Sequence, residues 1–176
     1  ILSHEKETGI SIMKIVPGLD EGPYMMQEKF MINKNMSTGE LKKNLSLIGA
    51  KAMVRSIKLI SEGKAVFVEQ DHSKSSYAKK IKKSETEINW NDKAENIVAK
   101  INAFNPKPGA WFLYKKERIK VFKANEIEQN GNPGEILDNE LIIGTGHNAI
   151  KILELQKEGK NTLNSKEFLK GNKLFK

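Results

Sequence analysis

The sequence of 176 residues contains no cysteine, so it offers neither a disulfide nor a thiolate metal ligand. Such a chain suits a reducing compartment. No apolar run approaches the roughly 20 residues a membrane helix requires. No signal peptide is visible, and no membrane partner is expected. Arginine is scarce: of 30 basic residues, only Arg55 and Arg118 are arginines. His4, His72 and His147 are scattered, with no pair at metal-ligand spacing, so no metal site is expected. No Ser/His/Asp order stands out. The stretch "IIGTGHNA" carries G-x-G alone, without the third glycine or following helix of a dinucleotide fingerprint. The chain opens "ILSHEKETG" without an initiator methionine, as processing or truncation would leave it.

What is abundant is lysine. The net charge is +8, and it is uneven: residues 1–70 hold 10 basic and 8 acidic side chains, the remainder 20 and 14. A basic second half suits a polyanionic partner, most simply nucleic acid. Abundant Lys, Asn and Ile also accord with compositional drift, and charge alone leaves both readings open. The segment "DHSKSSYAKKIKK" carries Lys74, Lys79, Lys80, Lys82 and Lys83 with no acid after Asp71. It can follow a phosphate backbone and release counterions, or it can be a solvated interdomain linker. In the tail, Lys166, Lys170, Lys173 and Lys176 stand beside Phe168, Leu169 and Leu174. One face of that tail can pack while the other meets phosphates.

Periodicity divides the chain near residues 70–85. Gly9 to Val16 is short and apolar on both faces, which predicts a buried strand. "YMMQEKFMI" predicts a second. Ser37 and Glu40 form a capping box, and Leu41, Leu45, Ile48, Ala52, Val54, Ile57 and Ile60 recur at helical spacing up to Gly63. "KAVFVEQ" predicts a further strand. A strand ending at Trp90 is expected next, then a helix capped at Asn91 or Asp92. Strands are expected at Ala110 to Tyr114, Arg118 to Ala124, Glu135 to Leu137, Leu141 to Gly144 and Ala149 to Gln156, with a short helix capped at Ser165. Short strands so spaced suggest a small β-barrel. The N-terminal part looks incomplete, because one strand pair and one helix cannot bury two sheet faces.

One carboxylate draws attention. In "IVPGLDEGPYMM", Asp20 sits between Gly18 and Gly22, with Pro17 and Pro23 outside them and a predicted strand on each side. Glycines allow close approach of a ligand, and loops after buried strands often bind one. A turn aspartate bonded to its own backbone fits the same spacing. Trp90, Trp111 and Tyr114 read more readily as core than as base-stacking platforms.

Several stretches occur together in one order: "ETGISIMKIVPGLDEGPYM", "STGEL", "YAKKI", "INW", "INAFNPKPGAW" and "EGKNTLNSKEFLKGN". Over essentially its whole length the chain resembles the C-terminal portion of the bacterial methionyl-tRNA formyltransferases. The resemblance implies an α/β remnant of a Rossmann-like formyltransferase domain over 1–70, a basic linker over 71–86, and a mainly-β, OB-like, tRNA-binding barrel over 87–176. It implies formyl transfer from 10-formyltetrahydrofolate to the amino group of methionyl initiator tRNA, in the cytoplasm, by an enzyme expected to be a monomer. Asp20 matches the catalytic Asp of the family. Val16, Pro17, Gly18, Leu19 and Asp20 match the backbone that lies against the folate. Lys79, Lys80, Lys82 and Lys83 would meet the acceptor stem, with Lys170 assisting. The family's Asn and His lie upstream of Ile1, so the chain alone is expected to be inactive. The family's usual "GLDTG" is "GLDEG" here, which adds Glu21, and its usual Trp in "FNPWPGA" is Lys107. Two alternatives remain: a folate-dependent formyltransferase of a nucleotide sugar, and a non-catalytic RNA-binding module.

Overall fold

In a computed structural model, residues 1–171 are described; Lys173, Leu174 and Lys176 of the basic tail lie outside them. Strand β1 (Glu7–Met13) pairs antiparallel with β2 (Tyr24–Met31). The first strand ends at Met13, before the predicted Val16, and it alternates half-buried and exposed side chains instead of being buried on both faces. The reason is that a two-stranded sheet beside a single helix has only one face covered. That helix, α1 (Thr38–Ser61), lays Gly49 against the side chain of Ile10 and buries Ala52 and Ser56. The Ser56 hydroxyl donates to Met26 Sδ at 3.8 Å. An Arg55–Glu28 ion pair adds a polar tie.

The helix stops where the sequence says it should. Gly63 is left-handed, at φ 66°. Its N–H bonds the Ile60 carbonyl at 3.0 Å, and the Lys64 N–H bonds the Leu59 carbonyl at 2.8 Å. This pair of bonds is a Schellman C-cap, which glycine adopts without a Cβ penalty. The predicted apolar stripe is only partly used. Val54 is 70% exposed, and Ile57, Ile60 and Leu47 are more than half exposed. "KAVFVEQ" is not a strand; only Val68 bridges to Tyr24, through bonds of 2.8 and 2.9 Å.

The second unit gathers Ile1–His4, Lys34–Gly39 and the chain from Ile81 onward; Glu5–Asn33 and Glu40–Lys80 form the first. Its sheet runs β3 (Ala110–Tyr114), β4 (Glu117–Ile127), β6 (Ala149–Lys157) and β5 (Ile142–Gly144), all antiparallel, with β7 (Leu163–Asn164) also paired to β6. The register of β4 against β6 shifts between Val121 and Ala124. Such bulges bend a strand and help a sheet to curl. Helix α2 (Ala94–Phe104) packs Ile97, Ile101 and Phe104 into a core with Phe112, Ile119, Val121, Ile150, Ile152 and Leu155. The result is a mixed α/β unit with a curled sheet.

Four local expectations change. Helix α2 starts at Ala94 rather than just after Asn91 or Asp92. Asn89, Asn91 and Asp92 bond one another in a turn, and the Ala94 N–H takes the His147 carbonyl at 3.1 Å, so a distant carbonyl replaces a side-chain cap. The predicted strand ending at Trp90 is a 3-10 turn, Lys83–Thr86, followed by a single bridge from Glu87 to Trp111. Glu135 to Leu137 reduces to a bridge between Ile136 and Ile143. Helix α3 (Ser165–Gly171) is capped by Asn164, whose side-chain oxygen accepts from the Glu167 N–H at 2.9 Å; Ser165 is already helical. Phe168 of α3 is buried in the core, while Lys166 and Lys170 are exposed.

Candidate functional site

The Asp20 loop is built by three restraints. The Lys14 N–H bonds the Pro23 carbonyl at 2.9 Å, closing the loop at its neck. Gly22 is buried there, and a Cβ on it would sit 1.8 Å from the Lys14 carbonyl oxygen, so no other residue fits. From 50 residues further along, the Gln70 amide donates to the carbonyls of Asp20 and Gly22, each at 2.7 Å. One side chain thus fixes both sides of the loop tip. The Tyr24–Val68 bridge brings Gln70 to that position.

Asp20 itself is left-handed, at φ 56°, a region that Asp tolerates better than most residues. Its backbone is held but its carboxylate is not: that group is exposed and makes no hydrogen bond or ion pair among the described residues. A turn aspartate would spend its carboxylate on neighbouring N–H groups. This one presents it to solvent on a braced backbone. Val16 and Gly18 are half-buried, and Pro17 and Leu19 are exposed, Leu19 by 82%. The loop therefore offers an apolar side chain and an unspent carboxylate next to each other. Glu21 folds back over Gly18.

Gln70 is the loop-bracing residue that sequence reasoning missed. Nothing local to "FVEQD" signals it, because its role depends on the bridge through Val68. No group of three His, Asp or Glu side chains is placed to hold a metal ion among the described residues. None of the described helices is long and apolar enough to cross a membrane.

The basic segment lies apart in sequence. Lys79, Lys80, Lys82 and Lys83 are all exposed and form no salt bridge among the described residues. Lysines elsewhere do: Lys29 with Glu7, Lys64 with Glu62, Lys157 with Glu117. The unit boundary falls inside this segment, with Lys79 and Lys80 on one side and Lys82 and Lys83 on the other. The Lys82 N–H bonds the Glu85 carboxylate at 2.8 Å, which fixes the start of the 3-10 turn. Upstream, Asp71 is held below the usual carboxylate range, chiefly by its bonds from the Ser73 hydroxyl and from Lys74.

Residues 80–173 match the formyl transferase C-terminal domain, and the chain belongs to that family. Among proteins it is similar to is a methionyl-tRNA formyltransferase of Pelagibacter ubique, 42% identical over the whole chain. The chain spans 57% of that relative's length. Among solved structures, HypX from Aquifex aeolicus in complex with tetrahydrofolic acid aligns with 96% of the chain and 31% of its own, at 18% identity and a TM-score of 0.75. An N-formyltransferase from Helicobacter canadensis, with folinic acid and dTDP-3-aminofucose, aligns with 89% of the chain and 58% of its own, at 24% identity and a TM-score of 0.70.

Proposed function

We propose that these residues are the C-terminal portion of an enzyme that transfers a formyl group from 10-formyltetrahydrofolate to the amino group of methionyl initiator tRNA in the cytoplasm, without a metal. The observation that carries this is the Asp20 carboxylate, unspent and exposed on a loop braced by Gln70. Names of similar proteins support the substrates: methionyl-tRNA for the Pelagibacter relative, tetrahydrofolic acid for HypX. In this reading β1, β2 and α1 belong to a Rossmann-like domain, and the curled sheet is an OB-like, tRNA-binding barrel. The exposed stripe of Val54, Ile57 and Ile60 suits a domain face that further structure covers.

The chemistry needs one base beside the acceptor. The methionyl amine attacks the formyl carbon, and a new C–N bond forms as the bond to the folate nitrogen breaks. The amine loses a proton as the leaving nitrogen gains one. Asp20 accepts or relays that proton, directly or by holding an imidazole or a water in place. Val16, Pro17, Gly18 and Leu19 line the folate side of the same loop. Lys79, Lys80, Lys82, Lys83 and Lys170 neutralise tRNA phosphates.

The test uses the protein extended by the portion of its relatives that these residues do not span. Asp20→Asn is expected to lower the rate by about 100-fold or more and to leave tRNA affinity unchanged. Unchanged transfer by the variant would overturn the assignment of Asp20. Transfer to a nucleotide sugar amine with no affinity for tRNA would favour the sugar-modifying alternative.

A further inference from the structure

The chain has two arginines, and they differ. Arg55 is spent in its ion pair with Glu28. Arg118 has no acidic partner among the described residues. Its guanidinium carbon lies 4.3 Å from the centre of the Trp111 ring. The ladder explains why: Trp111 stands opposite Lys120 and Leu113 opposite Arg118, so Arg118 reaches Trp111 across the diagonal of one sheet face.

The ring is pinned in turn. Trp111 Nε1 donates to the Thr86 hydroxyl at 3.0 Å, and that hydroxyl donates to the Lys83 carbonyl at 2.8 Å. Glu87 bridges to Trp111 in parallel. The end of the basic segment is therefore stitched to the ring that carries Arg118. Among the described residues Lys82, Lys83, Arg118 and Lys120 make no ion pair, and of the nearby acids Glu85 bonds the Lys82 N–H and Glu117 pairs with Lys157.

A guanidinium stacked on an aromatic face keeps its N–H edge in plane and open to solvent. That edge matches two phosphate oxygens, and stacking removes much of the entropy cost of ordering a long side chain. We propose that the Trp111–Arg118 stack, with Lys120 beside it, is an RNA phosphate-binding site that continues the track begun by Lys82 and Lys83. The inference rests on the RNA-binding half of the function proposed above. It assigns to β3 and β4 a contact that the lysines alone do not supply.

The test is binding of transcribed initiator tRNA to the 176-residue chain across a salt series. Arg118→Ala is expected to weaken binding about 10-fold and to lower the slope of log K against log salt by about 1. Arg118→Lys should restore the slope but not the affinity, since a point charge cannot make the bidentate contact. Lys93→Ala, removing an exposed cation at the start of α2, should cost much less. Thermal melting of each variant checks that the fold is retained. Equal losses for Arg118→Ala and Lys93→Ala would overturn the site, as would wild-type affinity and slope in Arg118→Ala. In either case binding that falls on Lys82→Ala/Lys83→Ala would leave the RNA-binding reading standing. No binding by the wild-type chain would overturn both.

Discussion

The two units use the same kinds of residue to different effect. In the sheet unit, α2 and both ends of β4 and β6 enclose a core in which Ile97, Ile101, Phe104, Ile119, Ile150, Ile152 and Leu155 are almost completely buried. In the hairpin unit Ala52 alone of the described hydrophobic residues is fully buried. Isoleucines and valines are not scarce there; Ile15, Val54, Ile57, Ile60, Val66 and Val68 are simply uncovered. A helix on one face of a hairpin has no second layer to close over its far side. Composition therefore does not distinguish the units. Coverage does, and the uncovered unit is the one that carries Asp20.

The largest expected effect separates the units directly. Phe104→Ala should cost about 3–5 kcal/mol of stability, by lost transfer energy and a cavity in a closed core. Ile57→Ala, on the open face of α1, should stay within about 0.5 kcal/mol. Urea unfolding of both variants checks this. A comparable loss at Ile57 would mean that its face is covered in solution, and the contrast between units would disappear. Gln70→Ala sharpens the contrast on a smaller scale. It removes two hydrogen bonds from the Asp20 loop, worth about 1–2 kcal/mol locally. Amide exchange is expected to quicken over residues 14–23 and to stay unchanged in β4 and β6. Quickening in β4 would show that the loop is not an independent local restraint.

Much of this was legible in the sequence, and the failures share a cause. Helix α1 and its Gly63 stop, the β1–β2 hairpin, and strands β3, β4 and β6 follow from periodicity and turn residues that act locally. Lys64 to Gln70, Glu135 to Leu137 and Ser84 to Trp90 carry strand-like composition, yet each finds only one bridging partner. Strand identity depends on a neighbour that local sequence does not name. Val54, Ile57 and Ile60 have the helical spacing of a buried face, but burial depends on what lies opposite. The Asp20 loop was visible because glycine and proline mark it. The placements of Gln70 and Arg118 were not, since each depends on strand register: Val68 on Tyr24, and Leu113 on Arg118.

The last expected effect lies in the covered unit and depends on pH. Glu126 of β4 accepts from the Asn148 amide at 3.1 Å and from Lys34 Nζ at 3.2 Å. Asn148 is left-handed at the β5–β6 turn, so Glu126 ties that turn and the segment before α1 to the sheet. The Asn148 bond, aided by Lys34 and opposed by partial burial, holds the Glu126 carboxyl below its ordinary value of 4.5. A carboxylate whose folded pKa is lowered binds its proton more readily in the unfolded chain. Its stabilisation is therefore complete at neutral pH and is lost as pH falls from 4.5 through the lowered range. With its side chain about a quarter exposed, solvent screening limits the contribution to about 0.5–1 kcal/mol. Glu126→Gln should lower the melting temperature slightly at pH 7, and the gap from wild type should close toward pH 3. A gap that persists unchanged at pH 3 would mean that the side chain's packing, not its charge, holds the turn to the sheet.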